Sequence, residues 1–295
     1  MKKIIFILIS LAVLGLAAWK LVLTPAPKAL NFDAAEGTPN RNTVATDSYA
    51  AALKTYVNDQ GMVSYRALQA DRAQLDAFAA SAGRLDLKVY EGWGEPEKIA
   101  FLINAYNALT LEAILANYPI KPTMTGAALY PNNSIRQIPG VWDKLEFQLL
   151  GKPATLDVIE HQMLRKQFNE PRIHMALVCA SIGCPTLRNE PYVAERLSEQ
   201  LDDQTRKFLS DPLKFRIDRQ ARVVHLSPLF KWYGGDFVKS FGTDKFAGHS
   251  AAERAVLSYF SALLEPADRE FLEKEKFEIK YLDYDWSLNE QGGAN

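Results

Sequence analysis

The sequence predicts a single α+β domain, rich in helices and completed by a small antiparallel sheet, behind an N-terminal membrane segment. One observation is a long apolar helix over residues 96–118, which begins at Pro96 and stops before Pro119. Another is a pair of alternating segments within 215–227, which is typical of a β-hairpin. The helices outnumber the strands, and the strands fall mainly in the second half of the chain. This order favours α+β over a regular β-α-β alternation.

The N-terminal residues predict export. Residues 1–23 pair a basic start, Lys2 and Lys3, with a long apolar run, which is the pattern of a secretory signal peptide or an uncleaved signal anchor. If uncleaved, residues 4–23 would lie in the inner membrane, for which they are just long enough. A buried N-terminal helix is the alternative. We expect the rest of the chain in the periplasm or cell envelope, either anchored in the inner membrane or secreted.

The composition is that of a globular protein with nearly balanced charge. Lys and Arg number 34 and Asp and Glu 35 among 295 residues, which argues against a nucleic-acid binder. The sequence has no dinucleotide-binding, P-loop or GxSxG motif, and we expect no cofactor and no metal site. Four parts are predicted: a signal peptide or anchor (1–23), a linker (24–46), a globular domain (47–290) and a tail (291–295).

Local signals place the elements of the globular domain in order. Prolines, helix caps and apolar periodicity mark the helices, and alternation of apolar and polar residues marks the strands. Helices are predicted at 48–57, 75–82, 96–118, 156–168, 191–209 and 255–264, a helix followed by a turn at 228–241, a buried strand at 173–180, a hairpin at 215–227 and a strand at 277–281.

Two asparagines stand out on the apolar helix at 96–118. Asn104 and Asn107 are three residues apart, so they project from the same side. A buried amide needs hydrogen-bond partners. The pair therefore predicts a polar network or a site, in which either residue could bind or orient a ligand.

The segment 172–185 is the densest candidate for chemistry. Cys179 ends the predicted strand and enters a Gly/Pro turn, a plausible position for a nucleophile. Its base would be His174 or His161, although on a straight strand His174 points to the opposite face from Cys179. A structural role is the alternative, in which Cys179 is simply buried or forms a disulfide with Cys184.

Charged residues around the second histidine complete the candidate site. Asp157, His161 and Arg165 recur every four residues on one helix face, with Glu160 beside them. Such a cluster could orient a catalytic base or could be an ordinary surface ion cluster. Arg172, at the start of the segment that carries Cys179, is a further candidate for binding or orienting a ligand.

Five motifs follow one another along the chain: FLINAYNALTLEAIL (101–115), LDVIEHQMLR (156–165), EPRIHMALVCASIGCPTLRNEPY (170–192), LSPLFKWYGGDF (226–237) and YLDYDWSLN (281–289). Together and in this order, they resemble the family catalogued as domain of unknown function 547. Leu102 stands where family members commonly have Trp. Plant relatives are similar in keeping the position of Cys179 without the second cysteine, which implies that Cys179 does not need Cys184. The resemblance also implies a papain/transglutaminase-like scaffold, by analogy of fold.

Three functions are compatible with these residues. The first is a cysteine-dependent hydrolase or acyltransferase on amide bonds, with Cys179 as the nucleophile and His174 or His161 as the base. The second is a non-catalytic periplasmic domain that binds a small molecule or peptide or acts as a scaffold. The third is a thiol redox protein that uses Cys179 and Cys184. The sequence alone leaves all three open.

Overall fold

The computed structural model describes residues 28–30 and 40–292. The predicted signal segment, 1–23, lies outside the described residues, as does most of the predicted linker. The described chain is α+β, as the sequence predicts, with helices forming most of the structure and strands forming two small sheets.

The predicted helices appear in the predicted order, together with three further helices. The bounds are α1 Thr46–Tyr56, α2 Tyr65–Ala70, α3 Ala73–Arg84, α4 Leu87–Gly92, α5 Glu95–Leu115, α6 Arg165–Gln167, α7 Leu197–Leu209, α8 Leu229–Tyr233, α9 Val238–Phe241, α10 Ala251–Ser261 and α11 Pro266–Lys274. The three further helices, α2, α4 and α11, were not predicted. A π-helix, Val158–Leu164, runs directly into α6. A capping box between Ser250 and Glu253 starts α10, as its sequence predicts.

Each of the two three-stranded sheets is mixed, whereas the sequence predicted an antiparallel one. The first contains β1 (Lys28–Leu30), β2 (Leu145–Leu149) and β3 (Lys152–Ala154), and the second contains β4 (Phe215–Asp218), β5 (Val223–Leu226) and β6 (Glu278–Tyr281). The β4–β5 hairpin is antiparallel as predicted, but β6 pairs with β5 in parallel. A parallel strand needs a long crossover, which here contains α8 to α11. Local alternation predicts the strand but not its direction.

Helix α5 forms the centre of the domain. Its residues from Ile99 to Leu115 are all buried, which explains why its sequence is apolar on nearly every side. The helix is long and apolar enough to cross a membrane, but 94% of this stretch is buried inside the domain, as in a core helix. One core cluster packs around α5, and a second packs around α10 and the β4–β5–β6 sheet.

The segment predicted as a buried strand, 173–180, is not a strand. Residues Pro171–Met175 form a 3₁₀ helix, and the chain continues without a ladder partner to Cys179. The side chain of Asn107 takes the place of a neighbouring strand: its Nδ2 donates to the carbonyl of Ala176 at 2.9 Å, and its Oδ1 accepts from the amide of Val178 at 2.9 Å. An apolar run shows burial but not which partner satisfies its backbone.

We expect Asn107→Ala to lower the free energy of unfolding by about 3 kcal/mol, because it leaves a buried amide and a buried carbonyl without partners. Chemical denaturation followed by circular dichroism measures this loss. Asn117→Ala is the matched control, since Asn117 makes one part-buried bond to the carbonyl of Ala113 near the end of α5. Equal losses in the two variants would contradict a special role for Asn107.

Candidate functional site

A cavity of about 630 Å³ lies where residues from the two core clusters meet. Its wall combines aromatic rings, carboxyl groups, two histidines and both cysteines. The lining residues are Tyr106, Arg136, Trp142, Asp143, Asp157, Glu160, His161, His174, Leu177, Cys179, Cys184, Leu229, Trp232, Tyr233, Tyr284 and Trp286. A concave site of this size with a few convergent polar groups is typical of a small-ligand pocket.

Cys179 and Cys184 form a disulfide in the wall of this cavity, with their Cα atoms 6.2 Å apart. The hydroxyl of Tyr284 lies 3.3 Å from the Cys179 sulfur and 3.1 Å from that of Cys184. The hydroxyl of Ser181 lies 3.2 Å from the Cys179 sulfur. Burial raises the pKa of Tyr284, so it stays a protonated donor. In the reduced protein, these same donors would stabilise a thiolate.

The turn after Cys179 is built by contacts with the C-terminal segment. Ala180 adopts a φ of 56°, a left-handed conformation that strains a residue with a Cβ atom. The amide of Gly183 donates to the carbonyl of Asp285 at 2.8 Å, and a Cβ at Gly183 would meet the Asp285 backbone at 3.0 Å. The close approach therefore favours glycine, because any larger residue would push the Asp285 backbone away. Together these contacts fix the direction of both cysteines.

His174 is oriented by a carboxylate that lies 62 residues away. Its Nε2 lies 2.8 Å from Oδ2 of Asp236, and its ring stacks on Tyr233 with the centroids 4.2 Å apart. Arg165 also contacts Asp236 through two hydrogen bonds, of 2.6 and 3.0 Å. Burial alone would raise the pKa of Asp236, but hydrogen bonds from His174 and Arg165 hold it well below its usual range.

This geometry assigns the proton on His174. An ionised Asp236 can only accept, so Nε2 of His174 donates to it, and in the neutral ring Nδ1 then keeps a free lone pair. Within residues 28–30 and 40–292, Nδ1 of His174 makes no hydrogen bond. A histidine with one nitrogen held by a carboxylate and the other left open is the arrangement of an oriented general base.

His161 is held differently. The guanidinium of Arg165 lies 3.0 Å from its Nδ1 and can only donate, so that nitrogen accepts. The proton of the neutral ring is then on Nε2, which lies 3.8 Å from Oδ1 of Asp157. Burial raises the pKa of Asp157, and His161 opposes part of that rise. His161 therefore presents a donor to the cavity, whereas His174 keeps an acceptor.

Glu160 is buried in the wall beside two tyrosines. Burial raises the pKa values of Tyr106 and Tyr233, and the neighbouring Glu160 carboxyl raises both further. The two phenols therefore stay protonated, so the wall presents hydroxyl groups next to the Glu160 carboxyl.

One comparison with known proteins gives a match. Residues 90–209 match the model of a family described as "Protein of unknown function, DUF547". Over these residues the chain is similar to that family. No curated protein and no solved structure matches the chain, so the papain/transglutaminase-like scaffold stays a prediction. The matched segment contains Cys179 and His174, whereas Asp236 and Tyr284 follow it in the chain.

The cavity brings together six of the ten residues that the sequence singled out. They are Asp157, Glu160, His161, His174 and the disulfide-bonded Cys179 and Cys184. The prediction that His174 faces away from Cys179 is wrong, because a 3₁₀ turn replaces the straight strand on which that prediction rested. Both residues line the same cavity.

The other candidates have structural contacts. Asn104 forms two hydrogen bonds with the backbone of Tyr192, of 2.8 and 2.9 Å. Asn107 binds the backbone of Ala176 and Val178 in the same way. Each side-chain amide binds backbone through Oδ1 and one Nδ2–H, and neither asparagine is among the residues that line the cavity. Arg172 pairs with Glu170 and Asp202 and is not among the cavity residues. Arg165 is not among the cavity residues either; it contacts both Asp236 and Nδ1 of His161.

Sequence reasoning missed the carboxylate partner of His174 and most of the aromatic wall. Asp236 and Tyr233 lie in the motif LSPLFKWYGGDF, and Tyr284 and Trp286 lie in YLDYDWSLN. Both motifs contributed to the family resemblance, but neither was assigned to the site. An acidic residue directly after a Gly-Gly turn, and aromatic residues alternating with aspartates, were the available signals.

Proposed function

We propose that this protein is a thiol-dependent hydrolase or acyltransferase of the cell envelope, in which Cys179 is the nucleophile and His174 the base. The observation that carries the proposal is that the Cys179 sulfur and the Asp236-oriented His174 share one cavity. In this account the disulfide-bonded protein is the resting form, and an external dithiol has to reduce the Cys179–Cys184 bond before Cys179 can react. The export predicted for residues 1–23 supports a compartment in which such a disulfide forms.

The proposed reaction has two steps. Nδ1 of His174 takes the thiol proton, and the Cys179 sulfur attacks the carbonyl carbon of an amide or ester. A C–S bond forms, the bond to the leaving group breaks, and His174 returns the proton to the departing amine or alcohol. Water, or an acceptor amine, then attacks the thioester and releases the Cys179 thiolate.

A specific observation also favours a second function, which is non-catalytic binding of a small molecule or peptide. The disulfide occupies the sulfur of Cys179, and aromatic rings form much of the cavity wall. In that case the disulfide would only brace the turn between Cys179 and Cys184. This alternative predicts the same ligand affinity in the oxidised and reduced protein and no covalent adduct.

Reaction with p-nitrophenyl acetate separates the two functions. We expect the reduced protein to release p-nitrophenolate and to acquire an acetyl group on Cys179, as shown by intact mass and peptide mapping. The oxidised protein should acquire none. The reduced Cys179→Ser variant reports the background reactivity of Cys184. If Cys179 in the reduced wild-type protein is acetylated no faster than Cys184 in that variant, the catalytic proposal fails.

A further inference from the structure

Arg136 lines the cavity, and aromatic rings position its guanidinium. It lies 4.7 Å from the ring centroid of Tyr130, 5.4 Å from that of Trp142 and 4.8 Å from that of Trp286. It also donates a hydrogen bond of 2.7 Å to the hydroxyl of Tyr130. Stacking of this kind restricts a side chain that would otherwise sample many rotamers. The guanidinium is therefore preorganised at the cavity.

The backbone beneath Arg136 is fixed as well. Ile135 and Gln137 on either side are buried, so the arginine projects away from the core. The hydroxyl of Ser134 accepts from the Arg136 amide at 3.2 Å. The amide side chain of Gln137 binds Thr123 and the carbonyls of the preceding loop, which holds this turn in place.

Arg136 has no acidic partner within residues 28–30 and 40–292. This sets it apart from Arg165, Arg172 and Arg188, each of which pairs with carboxylates. One of its five donors is used by Tyr130, and the remaining fork can bind a planar oxyanion in bidentate fashion. An exposed, preorganised and unpaired guanidinium in a cavity is suited to binding an anionic group of a ligand.

The rest of the cavity restricts which anion fits. Three carboxyl groups, those of Asp143, Asp157 and Glu160, line the same cavity. They disfavour a doubly charged phosphate and favour an amino group. A ligand with a carboxylate at one end and an amine at the other matches both features.

We propose that Arg136 binds the free carboxylate of a short zwitterionic peptide, whose amino group faces Asp143, Asp157 and Glu160. This inference deepens the proposed function by naming the substrate class of the same site. Arg136 is a binding residue in this account and takes no part in the chemical steps.

Calorimetric titration of the oxidised protein tests this assignment without requiring catalysis. The probes are the tripeptide Ala-Phe-Ala as the free acid, the same peptide as its C-terminal amide, and a phosphoserine tripeptide amide. We expect the free acid to bind at least about tenfold more tightly than the amide, because a charge-assisted bidentate pair is lost in the amide. The phosphoserine tripeptide amide should bind no better than the unphosphorylated amide.

Variants test whether Arg136 causes the preference for the free acid over the amide. In Arg136→Gln the ratio of affinities for acid and amide should fall to about one, and in Arg136→Lys it should be intermediate, because lysine keeps the charge but not the fork. Arg219→Gln, which changes an exposed arginine paired with Asp268 outside the cavity, is the control and should keep the ratio.

Three results would overturn the assignment: equal binding of acid and amide, no binding of the free acid, or tighter binding of the phosphorylated peptide. None of them bears on the thiol chemistry. Conversely, a failure of Cys179 to be acetylated would leave the carboxylate preference standing, so the two proposals fail separately.

Discussion

In the reduced protein, Cys179→Ser lowers the rate of acyl-enzyme formation with p-nitrophenyl acetate at least about 10³-fold, because a serine hydroxyl is a far weaker nucleophile than a thiolate in this site. Stopped-flow release of p-nitrophenolate measures the rate, and intact mass detects the adduct. The variant should stay folded, since serine replaces sulfur with a smaller polar atom in a wall that already contains hydroxyl groups.

Cys184→Ser is the matched comparison. It removes the disulfide but leaves Cys179 as a free thiol, so it should form the adduct even without a reductant. Thermal unfolding of both variants separates a chemical effect from a folding effect. If Cys179→Ser keeps the wild-type rate while both proteins remain folded, Cys179 is not the nucleophile.

Asp236→Asn should lower the rate of the same step by about 10³-fold. The asparagine keeps the shape of the side chain but no longer carries the charge that fixes the proton of His174 on Nε2 and stabilises the protonated ring. Asp268→Asn is the control, because Asp268 has the same side-chain exposure, 31%, and also pairs with an arginine, but it lies outside the cavity. A rate within a factor of about two of wild type in Asp236→Asn would contradict an orienting role.

The same substitution has a pH-dependent effect on stability. The pKa of Asp236 in the folded protein is held below its value in the unfolded chain. The stabilisation is therefore complete above about pH 4, where the unfolded carboxyl is ionised, and is lost as the pH falls further. Denaturation curves should show the largest wild-type advantage over Asp236→Asn at neutral pH. A difference that grows on acidification would contradict this assignment.

Local sequence signals predicted the elements that depend on local contacts. Pro96 and the capping box of Ser250 and Glu253 mark helix starts through neighbours three or four residues away, and both helices form as predicted. The strand predicted at 173–180 is wrong because its backbone is satisfied by Asn107, 69 to 71 residues earlier in the chain. The apolar pattern of residues 173–180 contains no information about a hydrogen-bond partner so far away in the sequence.

The same distinction between local and distant contacts applies to the site. His174 and Cys179 lie five residues apart in one short motif, so the sequence alone marked them as candidates. By contrast, Asp236, which contacts His174, lies 62 residues after it, and Tyr284, which lines the cavity, lies 105 residues after Cys179. Their role follows only from tertiary packing of the two core clusters. The aromatic rings that position Arg136 were unpredictable for the same reason.

The pH dependence of alkylation at Cys179 tests the central claim most directly. Iodoacetamide is applied to the reduced, folded protein over a range of pH, and peptide mapping gives a rate for each cysteine. We expect the rate at Cys179 to reach half its maximum at least about one unit below pH 8.5, the ordinary value for a cysteine thiol, and this midpoint to move upward in Asp236→Asn and Tyr284→Phe. A midpoint at or above 8.5, or labelling only after unfolding, would show that Cys179 is a structural cysteine.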